Sequence, residues 1–260
     1  IDLHLEGVAL DAHGLVPDAL DAACRRLAPK ALYIVPTLQN PTATIMPQER
    51  RMEIAAICRR HGVTIVEDDV FGFLVRDPLP IHRIAPDITV YMTSLSKSMS
   101  AGLRVGYVVA PPALTTRIEA VIRALMYSAP PLVGEVAARW IQDGTADRLA
   151  DAQRSEGIAR QAIARAIAMT PKLMLFDEVA QHLWMSLPEP WRREDFLAEA
   201  RRRGVIVTGA DVFAVGRNPA PHGVRIGLCQ PKSRDEAARG LHLLADVLSS
   251  MKASLRGELG

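Results

Sequence analysis

The sequence predicts an α/β chain built on a mainly parallel sheet, followed by a smaller α+β region. Three observations predict it. Through the first half, short apolar runs rich in β-branched residues alternate with amphipathic helical stretches, the pattern of strands joined by crossover helices. The first three of those runs lead into polar stretches carrying Asn, Asp, Ser or Lys, and the carboxyl ends of strands are where α/β sheets place ligands. After about Gly144 the pattern changes, through one long helical stretch, to short strands flanked by helices.

Taken in order, a helix is expected from Pro17 to Ala28 and a strand from Ala31 to Pro36. A second helix runs from Pro47 to His61. Pro47 and Glu49 suit its start and Gly62 its stop, because proline pre-sets the first turn and glycine accepts the left-handed closing conformation. Strands from Val63 to Glu67, Ile88 to Thr93 and Val105 to Ala110 follow, then a helix from Pro112 to Arg123. The long stretch from Asp147 to Met169 bridges into the second region. There, strands are expected at Leu173 to Phe176, His182 to Leu187, Val205 to Thr208 and Val224 to Cys229, with helices from Arg192 to Arg203 and Ser233 to Leu248. The expected division is therefore a large domain over residues 1–145, and an interdomain helix with a small domain over 146–260.

Composition narrows the function classes. With 260 residues, 49% of them hydrophobic, the chain can bury a full core. A net charge of +2 with mixed signs gives no electrostatic reason to expect tight nucleic-acid binding, and Arg201-Arg202-Arg203 reads as a solvated helical face. Cys24, Cys58 and Cys229 are odd in number, far apart and without metal-ligand spacing, so buried thiols in a reducing cytosol are expected. Apolar stretches break well short of the roughly 20 residues a membrane helix needs, and no secretory signal precedes them. A cytoplasmic protein without a membrane segment is the expectation. Because the chain starts at Ile1, it is also expected to be a piece of a longer protein.

Five lysines stand among twenty-six arginines, and Lys97 lies in Ser94-Leu95-Ser96-Lys97-Ser98-Met99-Ser100-Ala101-Gly102-Leu103-Arg104, just after a β-type run. A lysine amine becomes a Schiff-base former when neighbouring positive charge and restricted solvent lower its pKa. Hydroxyls with an arginine beside it make a phosphate cradle, and amine plus cradle point to pyridoxal phosphate (PLP). A lysine in a serine-rich loop is also the ordinary composition of a solvated surface. Ser94 and Lys97 fit the serine-nucleophile spacing of penicillin-interacting enzymes too, but the Ser-Asp-Asn and Lys-Thr-Gly strings those need are missing from the sequence.

Three further positions fit the same cofactor. Asn40, in Pro36-Thr37-Leu38-Gln39-Asn40-Pro41-Thr42, offers a neutral amide to a ring phenolate oxygen, although Asn-Pro is equally a turn signal. Asp68, in Val66-Glu67-Asp68-Asp69-Val70-Phe71, offers a carboxylate to a pyridine nitrogen; the three adjacent acids also suit a divalent metal or a helix start. Arg225, in Gly223-Val224-Arg225-Ile226-Gly227-Leu228, offers a planar fork to a substrate carboxylate, or is an edge-strand arginine on a solvent face.

The order Asn40-Pro41-Thr42, then Glu67-Asp68-Asp69-Val70-Phe71, then Ser94-Leu95-Ser96-Lys97 with Arg104, then Arg225, resembles the fold-type-I PLP-dependent aminotransferases of classes I and II. It is most similar to the aminotransferase-like domain of MocR-type GntR-family regulators, and also to aminoadipate and kynurenine aminotransferases. The resemblance implies an aspartate-aminotransferase-like large domain and a small α+β domain. It further implies Asn40 at the cofactor O3′, Asp68 at the pyridine nitrogen, and Lys97 as the Schiff-base lysine. Ser94, Ser96 and Arg104 take the phosphate, while Arg225 with Asn40 takes the substrate. Phe71 stands at a cofactor-binding position where the family usually has a tyrosine that donates to O3′, and Ala43 replaces the usual glycine of the Asn-Pro-Thr-Gly turn.

The family's large domain normally begins earlier in sequence, with a strand-helix unit that adds phosphate contacts and a ring stacked on the cofactor. The expectation is that this N-terminal part is missing here and that PLP is held weakly. The implied activity is amino transfer between an amino acid and a 2-oxo acid, in a homodimer. The alternative is an effector-sensing domain that binds PLP and an amino acid, with DNA bound only through a winged-helix domain outside this chain.

Overall fold

The computed structural model describes residues 3–128, 130–167, 174–175, 177–216 and 219–257, the last helix without its side chains beyond residue 250. The elements are β1 (Leu10–Asp11), β2 (Gly14–Leu15), α1 (Pro17–Leu27), β3 (Ala31–Ile34), α2 (Gln48–His61), β4 (Thr64–Asp68), α3 (Ile81–Ile84), β5 (Thr89–Ser94), α4 (Leu95–Ser98) and β6 (Gly106–Val109). Then come α5 (Pro112–Met126), α6 (Pro131–Gln142), α7 (Thr145–Ile167), β7 (Met174–Leu175), β8 (His182–Ser186), α8 (Arg193–Arg202), β9 (Thr208–Gly209), β10 (Gly223–Gly227) and α9 (Arg234–Gly257). The chain divides into two compact units, one of residues 8–39 and 44–154, the other of 1–7, 40–43 and 155–260.

The first unit is built on a sheet of order β3-β4-β5-β6. Its first three strands are parallel and β6 returns antiparallel to β5, with Ser94 opposite Gly106. Helices α1 and α2 begin and end where the sequence says they should. Pro17 stands in the first turn of α1, and α2 ends on Gly62 at φ 65°, whose N–H bonds back to Arg59 and Cys58. One sheet face carries Ile34 and Ile65, which bury against Leu20, Ile54, Ile57 and Ile81. The loop leaving β3 is pinned by fully buried Arg51, whose guanidinium donates to the Met46, Pro36 and Leu79 carbonyls and to the Thr37 hydroxyl.

The second unit carries an antiparallel sheet of order β7-β8-β10-β9. Leu183, Met185, Val224 and Ile226 point from it into a core with Phe196, Leu244 and Val247 of α8 and α9. β10 lies between β8 and β9, so Arg225 is opposite both Trp184 and Thr208. It is therefore on a central strand, not an edge.

Three expectations change. The strand expected at Val205 to Thr208 shrinks to Thr208–Gly209, because Gly204 at φ 89° turns the chain and the Val205 N–H is taken by the Ala200 carbonyl at the close of α8. Cys24 and Cys58 are buried free thiols, but Cys229 is half-buried two residues past the end of β10. The helix expected to stop at Arg123 continues to Met126 and is followed by a further helix, α6, where none is expected. Leu173 and Phe176, the ends of another expected strand, and Met169 lie outside the described residues. No described helix is long and apolar enough to cross a membrane.

Candidate functional site

At the end of β4 the three adjacent acids separate by strand alternation, since successive side chains face opposite sides of a sheet. Glu67 and Asp69 turn to the packed side. Glu67 is fully buried and accepts the Ile81 and His82 N–H groups, both at 2.8 Å, which ties β4 to the start of α3. Asp69 is buried and accepts the Tyr91 hydroxyl at 2.9 Å. Burial raises both carboxyls above the usual range; for Glu67 the two backbone N–H groups oppose the rise, for Asp69 chiefly Tyr91 and Thr37.

Asp68 alone faces the other side. It is half-buried, its Oδ2 accepts the Tyr33 hydroxyl at 2.7 Å, and its Oδ1 accepts the Val70 N–H at 3.3 Å. The metal reading of Glu67-Asp68-Asp69 therefore fails on geometry, because their oxygens do not converge, and no metal-holding group of His, Cys, Asp and Glu exists among the described residues. Phe71, buried at the following turn, carries no hydroxyl.

Lys97 stands in α4, which follows β5 without a break, and its side chain is exposed. The turn is made locally. The Ser94 hydroxyl oxygen accepts the Ser96 N–H at 3.1 Å as the helix cap and donates to the Val105 carbonyl at 3.2 Å. Leu95 N–H also donates to Val105, at 3.0 Å, so the segment holding Arg104 is drawn back to the Lys97 turn. Leu95 and Val105 bury together with Ala137, and Arg104 takes φ 51°, a left-handed conformation that exposes its side chain at this end of the sheet.

In the second unit, Arg225 Nη1 donates to Asn40 Oδ1 at 2.7 Å, joining two residues 185 positions apart in sequence. The guanidinium carbon lies 5.4 Å from the centre of the Phe213 ring. Arg225 Nε is buried with no partner, and burial pushes the group's pKa down without removing its charge. Sequence reasoning missed Tyr33 and Phe213. Neither sits in a motif, and each is recruited through strand register or a turn that periodicity does not reveal.

Residues 6–241 match the model of the family described as aminotransferase class I and II. The chain belongs to this family. Among its relatives, YdeF of Bacillus subtilis (strain 168), described as an uncharacterized HTH-type transcriptional regulator, is 32% identical over 90% of this chain and 51% of its own length. The 2-aminoadipate transaminase of Thermus thermophilus is 29% identical over 76% of this chain and 53% of that protein. The chain thus spans about half the length of these curated relatives. Among solved structures of the fold, an archaeal alanine:glyoxylate aminotransferase superposes with TM-score 0.84 at 21% identity, covering 94% of this chain and 63% of that one. LysN, the α-aminoadipate aminotransferase from Thermus thermophilus, gives TM-score 0.83 at 23% identity, covering 95% and 65%. Family membership gives the aspartate-aminotransferase-like architecture expected from the motifs.

Proposed function

We propose that this chain is a PLP-dependent aminotransferase domain that moves an amino group between an amino acid and a 2-oxo acid, with Lys97 as the covalent lysine. One observation carries the reading. Asp68 ends β4, and Lys97 follows the end of β5, its parallel neighbour, so carboxylate and amine stand at the carboxyl edge of one sheet. LysN, whose structure holds N-(5′-phosphopyridoxyl)-L-leucine, and the 2-aminoadipate transaminase support an amino-acid substrate.

The donor set fits the cofactor, with Ser94 in a different role from the one the resemblance implies. Lys97 brings the amine, Asp68 the carboxylate for a pyridinium nitrogen, and Arg104 with the Ser96 hydroxyl the donors for a phosphate dianion. Ser94 has already committed its hydroxyl to the helix cap and to Val105, so its part is to shape the turn. Phe71 contributes a ring contact and no donor. PLP, when bound, supplies the electron sink that makes a substrate Cα–H acidic. The Lys97 amine then takes that proton as general base. Asp68 keeps a proton on the ring nitrogen. Arg225 holds the substrate carboxylate with its planar fork. Asn40, with Oδ1 turned to Arg225, keeps its amide N–H donors for the cofactor O3′.

The test is borohydride reduction of PLP-treated protein followed by peptide mapping. The adduct is expected on Lys97; a label on Lys30, Lys172, Lys232 or Lys252 instead overturns the assignment. A second reading is favoured by YdeF, an HTH-type regulator by description: the same domain holds PLP and an amino acid as an effector. Product formation from an amino acid and a 2-oxo acid supports the enzyme, whereas a spectral response to the amino acid without turnover supports the sensor.

A further inference from the structure

Asp68 is held from a neighbouring strand by a residue outside every motif. In the parallel pairing of β3 with β4, Tyr33 lies opposite Val66, so Asp68, two residues on, is its diagonal neighbour on the same sheet face. A diagonal gap of about 7–8 Å is within reach of an aromatic side chain, and the Tyr33 hydroxyl meets Asp68 Oδ2 at 2.7 Å. Asp69 repeats the device on the opposite face with Tyr91, but there the carboxylate is buried, with Thr37 and Arg51 also acting on it. Tyr33 is different: it is 62% exposed, so core burial does not account for its orientation. Partial withdrawal of the hydroxyl from water, and then its bond to Asp68, raise the phenol above its ordinary pKa, so it remains a donor well above neutral pH.

We propose that Tyr33 is a positioning residue for Asp68, fixing and stabilising the ionised carboxylate that meets the ring nitrogen of a pyridine cofactor. The inference rests on the amino-transfer reading. A hydrogen bond donated to a carboxylate favours its charged form, and it weakens if the carboxylate takes up a proton. A proton shared between Asp68 and a ring nitrogen is therefore biased toward the nitrogen. Tyr33 keeps the ring cationic without touching it, while the Val70 N–H holds the other carboxylate oxygen at 3.3 Å.

The experiment uses the 260-residue chain, saturated with excess PLP labelled with ¹⁵N in the ring, as wild type, Tyr33→Phe, Asp68→Asn and the double variant. Tyr33→Phe is expected to move the ring ¹⁵N resonance toward unprotonated pyridine and to weaken PLP binding about tenfold, the scale of one hydrogen bond to a charged group. The thermal midpoint of the unloaded protein is expected to stay unchanged. In the Asp68→Asn background, Tyr33→Phe is expected to add nothing. A resonance that stays at the wild-type position in Tyr33→Phe, or that moves equally in the Asp68→Asn background, overturns the inference alone. A wild-type chain that takes up no PLP overturns the amino-transfer reading, and this inference with it.

Discussion

Arg225 holds a donor in reserve. Its Nη1 is spent on Asn40 and its face lies over Phe213, yet the buried Nε–H has no partner. An unsatisfied buried donor costs about 1–3 kcal/mol, and in the proposed role the rest of the guanidinium fork would meet the substrate carboxylate. Arg225→Lys offers a point charge in place of the planar fork, so amino-acid affinity should fall on the order of tenfold or more while PLP affinity changes little. Titration of PLP-loaded protein with amino acids reads this directly, and an unchanged titration removes Arg225 from the substrate site. Ala43 carries a different kind of tension. It is buried at φ 59°, where the family usually has glycine, and a left-handed L-residue costs roughly 1–2 kcal/mol. Ala43→Gly gives part of that back as unfolded-chain entropy, so a net gain of about 0.5–1 kcal/mol in urea denaturation is expected. A loss would mean that the methyl group's packing outweighs the backbone.

The strands β4 and β5 and the helix α2 were legible because each rests on a local rule: β-branched runs, and a helix that stops at glycine. Register is not local. Nothing in Ala31–Ile34 alone announces that Tyr33 falls diagonal to Asp68, and the exposed face of β3 hides this polar contact among ordinary surface residues. The α1–α2 contact shows the same limit. Beside its i,i+4 pair with Arg25, Asp21 on α1 takes Arg60 and His61 on its Oδ1 at 2.7 Å, a clamp between helices that sequence spacing could not reveal. The hydrogen bonds from His61 and then Arg60 hold its carboxyl below the usual aspartate range. A depressed folded-state pKa means that the stabilisation is present above the unfolded value and is lost as pH falls through the folded one. Asp21→Asn should therefore lower the thermal midpoint at neutral pH. The gap to wild type should close as pH falls through and below the ordinary aspartate range; a gap that persists at the acid end would assign Asp21 a role in packing rather than charge.

Among the described residues the sheet of the first unit has both flanks open, β3 on one side and β6 on the other. The β6 flank is the hazardous one. All four of its residues are exposed, its side chains Tyr107, Val108 and Val109 are apolar, and its outer N–H and C=O groups have no sheet partner. Natural edge strands usually carry a charge, a proline or a bulge that discourages pairing with another chain. β6 has none of these. The next helix adds to the surface: α5 buries no residue and presents Val121, Leu125 and Met126 to solvent. Apolar patches of this kind on a soluble protein favour association. The chain is expected to self-associate in a concentration-dependent way, measured by sedimentation velocity. Val108→Lys places a charge on the open edge, where two strands would have to pair, and should shift the distribution toward monomer without lowering the thermal midpoint. If the wild-type chain stays monomeric across the concentration range, the edge is protected by something other than its own sequence. If Val108→Lys leaves association intact, the contact runs through the α5 surface instead, and Leu125→Glu should then release it.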